Sequence, residues 1–337
     1  MSRPATLADI AKAADLHPTT VSRVLRRSPD LNVREETRAR VERIAVELGY
    51  RPNAVARGLR TSSTGALGLL LPSLRNPAYS HIMRGACRRA WERDFVVMLA
   101  EDGGGEETAI AYERLVAEGR IDGLLVASAR PGSALVEHAR DGAVPIVFVN
   151  RRTSGAGQSV SMREEDAGRL AAAHLLSLGH RALAHVAGPA DLDTAQRRAT
   201  GFTQSAAAAG LSAAVAHAAF DEPGGFAAMA GLLAARNAPT AVFTSNINQA
   251  IGALAAAKAA GRDVPEDLSL VSYDDDPVGA YLDPPVTAIG MPLEELGAAA
   301  VDCMLARLRD GAQGNVMLAQ EPRLVLRAST AHAQGNR

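Results

Sequence analysis

Short apolar runs rich in Val, Ile and Leu recur through residues 63–337 and alternate with helix-length segments. The clearest runs are 66–71, 95–99, 123–126, 146–149, 183–186, 241–244 and 268–272. Continuous apolar strands separated by helices predict an α/β body whose parallel sheets are covered on both faces. The runs are too many for one small sheet, and near residues 159–162 the pattern restarts with a fresh helix over 165–178. Two similar lobes are expected, with a ligand at the carboxyl ends of the strands between them.

The first 62 residues carry a different period. Thr6 precedes an amphipathic stretch and Asp9 follows three residues on, an N-cap with a capping-box partner. Leu7, Ile10, Ala11 and Ala14 share one face. After a break at Asp15-Leu16-His17, Pro18 suits the first position of a second helix, because its missing N–H needs no partner there. Val21, Val24 and Leu25 form the inward face of that helix; Thr19, Thr20, Ser22, Arg23 and Arg26 point elsewhere. A third helix is expected from about Arg34 to Leu48, with Val41, Ile44, Ala45 and Leu48 inward and Gly49 ending it. Two short helices three residues apart, the second bearing hydroxyls and arginines, predict a helix-turn-helix. Hydroxyls and arginines reach phosphate oxygens, and an arginine can fork onto guanine O6 and N7. A small protein-docking module with a solvated charged face is the other reading of these residues.

Charge changes the picture. The chain of 337 residues has a formal net charge of −1, which excludes a uniformly basic coat. Residues 1–62 nevertheless hold 12 Lys and Arg against 7 Asp and Glu, and the remainder 24 against 30. A basic head on an acidic body suits a head that meets an anion. Cys87 and Cys303 make no disulfide framework, and no CxxC or HExxH spacing is present, so no metal site is expected. Lys12 and Lys258 are the only lysines and neither follows GxxxxG, which excludes a Walker-type loop. GxSxG and GxGxxG are absent, and Gly103-Gly104-Gly105 reads as a turn. Nothing supplies a nucleophile–base pair or a cofactor loop, so no catalytic residue, cofactor or enzyme activity is expected. No run of about 18 apolar residues predicts a membrane span, and the N-terminus lacks a signal-peptide core, so the expected location is the cytoplasm.

TLADIAKAADLHPTTVSRVL followed by VREETRARVERIAVELGYRPNAVARGLRT resembles the lactose/galactose repressor family. The resemblance implies that Pro18, Thr19 and Arg23 sit at base-reading positions of the recognition helix. It implies phosphate contacts at Thr20, Ser22, Thr37, Tyr50 and Asn53. Leu59 matches the leucine that wedges into the minor groove from a hinge helix, kinking the DNA. His17 and Arg34 stand where the family usually has serine caps, and each is expected to lose a cap worth about 1 kcal/mol.

The resemblance continues through GLLLPSLRNPAYSHIMRGACRRA, HLLSLGHRALAHVAGP, RRATGF and VPEDLSLVSYDDDP, and covers nearly the whole chain. It implies a two-lobed periplasmic-binding-protein-like body, with lobe 1 at about 63–161 plus 291–320 and lobe 2 at about 162–290 plus 321–330. Residues 1–62 would be the DNA-binding head and hinge. The implied effector-binding residues are Asp274, which accepts from effector hydroxyls or ring N–H groups, Arg198, which donates to the effector, Asn246, and Phe220, which covers one ligand face. Ala78 and Tyr79 fall where aromatics stack on a purine in a related repressor, and Asn150 and Ser128 sit beside the cleft. Ile247 and Met291 replace polar family residues and are expected to make the pocket less polar. Arg75, Arg130 and Arg151 lie near strand ends facing the cleft.

The function implied is transcriptional repression through a palindromic operator, read by a homodimer, with a tetramer left open. The strand–helix edges of lobe 1, including the helix with Met83, Gly85 and Ala86, are the expected dimer surface. The expected effector is a sugar or sugar derivative, with a sugar acid or nucleobase behind it. Effector binding would close the lobes and disorder the hinge helices. A ligand-responsive activator on the same architecture, or a cytosolic solute-binding protein whose head docks a protein, are the alternatives.

Overall fold

A computed structural model describes residues 5–25, 31, 33–50, 63–102, 106–141, 144–153 and 157–334. Arg26, the hinge with Asn53 and Leu59, and the glycines at 103–105 lie outside these residues. The chain divides into two compact units, Met1–Thr64 and Gly65–Arg337.

The head has helices α1 (Leu7–Ala14), α2 (Pro18–Leu25) and α3 (Glu35–Glu47). Thr6 and Asp9 form the expected box: the Thr6 side chain accepts from the Asp9 N–H, and the Thr6 N–H donates to Asp9 Oδ2 at 2.8 Å. Ile10, Ala11, Ala14, Val21, Val24, Val41 and Ala45 are buried together. Arg40 Nη2 donates to the Ala14 carbonyl at 2.7 Å, satisfying one of the carbonyls left open where α1 ends. Arg34 makes no side-chain cap, as its residue type implies. His17 departs from expectation, because its Nδ1 accepts from the Thr19 N–H at 3.3 Å and so supplies α2 with a cap.

The body contains two six-stranded sheets. The first is built from β1 (Ala66–Leu71), β2 (Val96–Glu101), β3 (Gly123–Val126), β4 (Ile146–Val149), β5 (Gln158–Ser161) and β11 (Val316–Met317), in the order β11-β5-β4-β3-β1-β2. All its pairings are parallel. The second uses β6 (Leu183–Ala187), β7 (Ala213–His217), β8 (Ala241–Thr244), β9 (Ser269–Tyr273), β10 (Thr287–Gly290) and β12 (Arg323–Val325), in the order β12-β10-β9-β8-β6-β7. Only β12 runs antiparallel. β1, β3 and β4 are buried at every position, as continuous apolar runs require. β2 differs: it is an edge strand, and Val96, Met98 and Leu99 stay about half exposed. β7 has no sequence signal because its AAVAH run is too poor in large apolar residues to stand out from the alanine-rich helices around it.

The helices that matter for the cleft are α4 (Pro77–Glu92), α7 (Glu164–Ser177), α8 (Asp193–Ala208), α9 (Glu222–Ala234), α10 (Ile247–Ala259) and α11 (Leu293–Asp310); α5 (Glu106–Ala117) and α6 (Ala134–Asp141) cover the first sheet. α7 and α8 cross at backbone contact. A Cβ on Gly168 would lie 2.1 Å from the Arg198 carbonyl oxygen, and one on Gly201 would lie 1.9 Å from that of Glu165. Only glycine permits that approach, and it brings Glu164 and Arg198 together. Two residues of the helix expected at the dimer surface face inward. Gly85 and Ala86 are buried inside the lobe, where a Cβ on Gly85 would meet the Glu294 carbonyl oxygen of α11. A small residue on a helix more often marks a close helix crossing than an outer surface.

Candidate functional site

On α2, Pro18, Thr19 and Arg23 are exposed and Thr20 is half-buried; Thr37 on α3 and Tyr50 after it are also half-buried. Ser22 is buried, at 5% exposure, which corrects its expected outward direction. At 100° per residue it flanks the Val21–Leu25 stripe, and a side chain that short is covered by its neighbours.

In the body, the carboxyl ends of both sheets face one another across a cleft. Asn76 caps α4 by accepting from the Ala78 N–H at 3.1 Å, and Tyr79 follows on the first turn. Ser128 follows β3, Asn150 and Arg151 follow β4, Asn246 opens α10, and Asp274 follows β9. An inner chamber is lined by Asn76, Tyr79, Asn150, Arg198, Asn246 and Asp274. An outer chamber is lined by Arg75, Ser128, Arg130 and Leu192, among others. Asn76, Tyr79, Arg151 and Phe220 line both. The seven effector candidates thus come together along one cleft.

Charge holds the inner end. Arg198 Nε donates to Glu164 Oε2 at 2.6 Å, and its Nη1 donates to the Ser245 carbonyl at 2.6 Å. The guanidinium carbon lies 3.5 Å from the centre of the Tyr273 ring, a cation–π stack. Burial pushes the Glu164 carboxyl up, but Arg198 and Arg197 beside it, with hydrogen bonds from Arg198 and Asn150, leave it below the usual range. Asn150 Nδ2 donates to Glu164 Oε1 at 2.7 Å. Asp274 has the opposite balance. Burial raises it to about 7, Arg198 opposing and Glu164 and Asp276 adding to the rise. Asn150 and Asp274 both adopt the left-handed backbone region, at φ 53° and 72°, which short polar residues tolerate best.

Some of these residues are already occupied. Asn246 caps α10 through Gln249 N at 2.8 Å, and its Nδ2 donates to the Phe220 carbonyl at 3.0 Å. Its place in the site is to fix α10 and Phe220. The Phe220 ring lies where a Cβ on Gly188 would sit, only 2.1 Å from it. Ile247 and Met291 do not make the pocket less polar as expected: Ile247 is buried in the core of the second lobe, and Met291 packs against the cores of both. Glu164, which holds Arg198 and Asn150, is not legible in the sequence as part of the site. His185 lines neither chamber: it is fully buried behind Ser245, stacks on Phe243 at 4.7 Å, and is lowered to about 3 chiefly by burial.

An α-helical head with an exposed polar recognition helix, joined to a two-lobed α/β body with a charged interlobe cleft, is the architecture of a ligand-responsive DNA-binding regulator. Residues 6–53 match the model for bacterial regulatory proteins of the lacI family, and residues 172–330 match a periplasmic binding protein-like domain. The chain is 32% identical over 333 residues to the HTH-type transcriptional repressor PurR of Edwardsiella ictaluri, covering 97% of each. The lac repressor dimer bound to operator and the anti-inducer ONPF matches with a TM-score of 0.81 and 30% identity, over 98% of this chain and all of that one. A LacI family regulator of Enterococcus faecium with bound ribose matches with a TM-score of 0.70 and 27% identity, over 80% of this chain and all of that one. This chain belongs to the LacI family. It is a transcriptional repressor of that family.

Proposed function

We propose that the cleft binds a sugar or sugar derivative and that its occupancy controls operator binding by the head. One observation carries this reading: among the described residues, Ser128 Oγ, Arg151 Nε and Asp274 Oδ1 are buried along the cleft without a hydrogen-bond partner. Buried polar groups are normally paired, so unpaired ones converging on one cavity mark a ligand's place. Asp274 accepts from ligand hydroxyls, Arg198 Nη2 donates to them, Tyr79 supplies a hydroxyl and Phe220 covers a C–H face. The ribose-bound relative supports the same chemistry.

In this reading the domains are the head and hinge at 1–62, lobe 1 at about 63–161 plus 291–320, and lobe 2 at about 162–290 plus 321–330; the two separate sheets support the split between the lobes. Contacts between the lobes include Asn150 to Glu164 at 2.7 Å, Arg130 to Asp191 at 3.1 Å and His81 to Asp276 at 3.4 Å. A ligand that binds the closed arrangement better shifts the equilibrium toward it, by no more than its differential affinity. In the head, Pro18, Thr19 and Arg23 read bases, and Thr20, Thr37 and Tyr50 hold phosphates, with Asn53 and Leu59 continuing the contact. Ser22 contributes through its place in the α2 packing. The half-exposed edge of β2 is the candidate lobe 1 surface for the homodimer.

The test is a thermal-shift screen of pentoses, hexoses and their derivatives on the full chain, followed by operator gel shifts. A stabilising compound should lose its effect on operator binding in Asp274→Asn and Phe220→Ala. An undiminished effect in both variants would remove the cleft from the account.

A further inference from the structure

We propose that the effector carries an anionic oxygen group, a carboxylate or a phosphate, seated against Arg151. The inference rests on the cleft reading above and narrows its ligand class.

Three arginines are buried among the described residues: Arg151, Arg197 and Arg198. Two of them face a carboxylate at close range, Arg197 with Asp193 at 2.8 Å and Arg198 with Glu164 at 2.6 Å. Arg151, only 6% exposed, has none. Its Nη1 donates to the Asn150 carbonyl at 3.1 Å and to Thr194 Oγ1 at 3.2 Å, and its Nη2 donates to the Tyr79 hydroxyl at 3.2 Å. All these acceptors are neutral, and Nε has no acceptor. A guanidinium does not shed its proton when buried, so its charge persists without a counter-charge. A buried charge in that condition is tolerated where a partner anion completes it.

The surroundings agree in sign. Arg75 and Arg130 line the outer chamber with Arg151. Among the described residues Arg75 has no carboxylate partner, whereas Arg130 is paired with Asp191 at 3.1 Å. Asp221 and Glu222 are on the same wall and keep their charges, Asp221 while accepting from Gly224 N at 2.8 Å, so three arginines there face two carboxylates. A smaller chamber behind Arg151 is lined by Arg130, Arg140, Arg151 and Arg152, with Asp193 the acidic group there. Asp193 is held by Arg197, and Arg140 by Glu137. Arg151 therefore stands between the hydroxyl-accepting end at Asp274 and an arginine-rich end. A hydroxylated carbon chain ending in an acid or phosphate matches both, and carboxylate and phosphate alike suit a guanidinium fork.

The full-length protein is tested with matched probes at constant ionic strength: ribose and ribose 5-phosphate; glucose, glucuronate, gluconate and glucose 6-phosphate; and inorganic phosphate alone. Thermal shift and calorimetric titration are the readouts. At least one acid or sugar phosphate should stabilise the protein where its neutral parent does not. Arg151→Met should weaken that binding at least tenfold, and Arg151→Lys should retain part of it. The acid and phosphate arms tell which anion is bound. In anion-poor buffer without ligand, Arg151→Met should melt at or above the wild-type temperature, because it removes an uncompensated charge. The proposal is overturned if a neutral sugar stabilises as well as its acid and does so equally in Arg151→Met. It is also overturned if no acid or phosphate stabilises the wild type, or if Arg151→Met melts lower in anion-poor buffer. Neutral-sugar binding lost in Asp274→Asn but kept in Arg151→Met would defeat the anion and leave the cleft reading standing. Acid binding that depends on Arg151 but not on Asp274 would support the anion and remove only the hydroxyl contact at Asp274.

Discussion

In the head, Thr19 and Arg23 stand exposed on α2 while Val21 and Val24 of the same helix fill the core. In the cleft, Arg198 and Asp274 are themselves only 6% and 4% exposed. In the proposed reading the head separates what reads from what holds, so its surface can change without cost to its fold. The cleft merges the two. Its ligand-facing side chains are also parts of the packed lobes, and their charges have to be balanced by the protein or by the ligand. Substitutions in the two regions should therefore sort differently between stability and recognition.

The sharpest way to break the comparison is Glu164→Gln. It leaves Arg198 buried without its carboxylate and should lower the unfolding free energy by about 3–5 kcal/mol, measured by urea denaturation. A loss below about 1 kcal/mol would show that the cleft tolerates charge as a surface does.

Next in size is the pH response of the body. Asp274 is raised from 3.8 to about 7, mainly by burial. The folded state then holds a proton that the unfolded state releases, so this residue's stabilising contribution is full below pH 3.8 and is lost as pH rises through about 7. Asp274→Asn should flatten that fall in melting temperature across the same window. Binding of a hydroxylated ligand, which needs the carboxylate as acceptor, should tighten as pH rises through about 7.

In the head, Arg23→Ala should cost about 1–3 kcal/mol of operator binding and relax base preference. Unfolding should stay within about 0.5 kcal/mol of wild type, as for other exposed positions. Thr20→Val should weaken binding evenly across sequences, and gel shifts against operator variants distinguish the two. A melting loss in Arg23→Ala matching that of Glu164→Gln would erase the contrast between the regions.

The smallest expected effect is Thr6→Ala. It removes one half of the α1 capping box and should cost about 1 kcal/mol, read from the unfolding of the head. The effector response should be unchanged.

Local pattern was enough for much of the molecule. The runs at 66–71, 123–126, 146–149 and 241–244 coincide with strands, because a fully buried parallel strand must be apolar at every position. The Thr6–Asp9 box and Pro18 mark helix starts through hydrogen bonds and backbone angles that span only a few residues. The seven cleft residues were found as a set through likeness to a family. Their individual environments were hidden, since a side chain's partners come from elements far apart in the chain. Glu164 meets Arg198 because Gly168 and Gly201 let two helices touch, and Asn150 reaches it from the end of β4 in the other lobe. Asn246 is spent on a cap and on Phe220, Ile247 turns into the core, and Ser22 is covered by its neighbours. Arg151 looks like any arginine after a strand. Burial without a carboxylate sets it apart, and burial is decided by packing across the whole body: the sequence determined which groups were present, and the tertiary structure decided which charges were left without a partner.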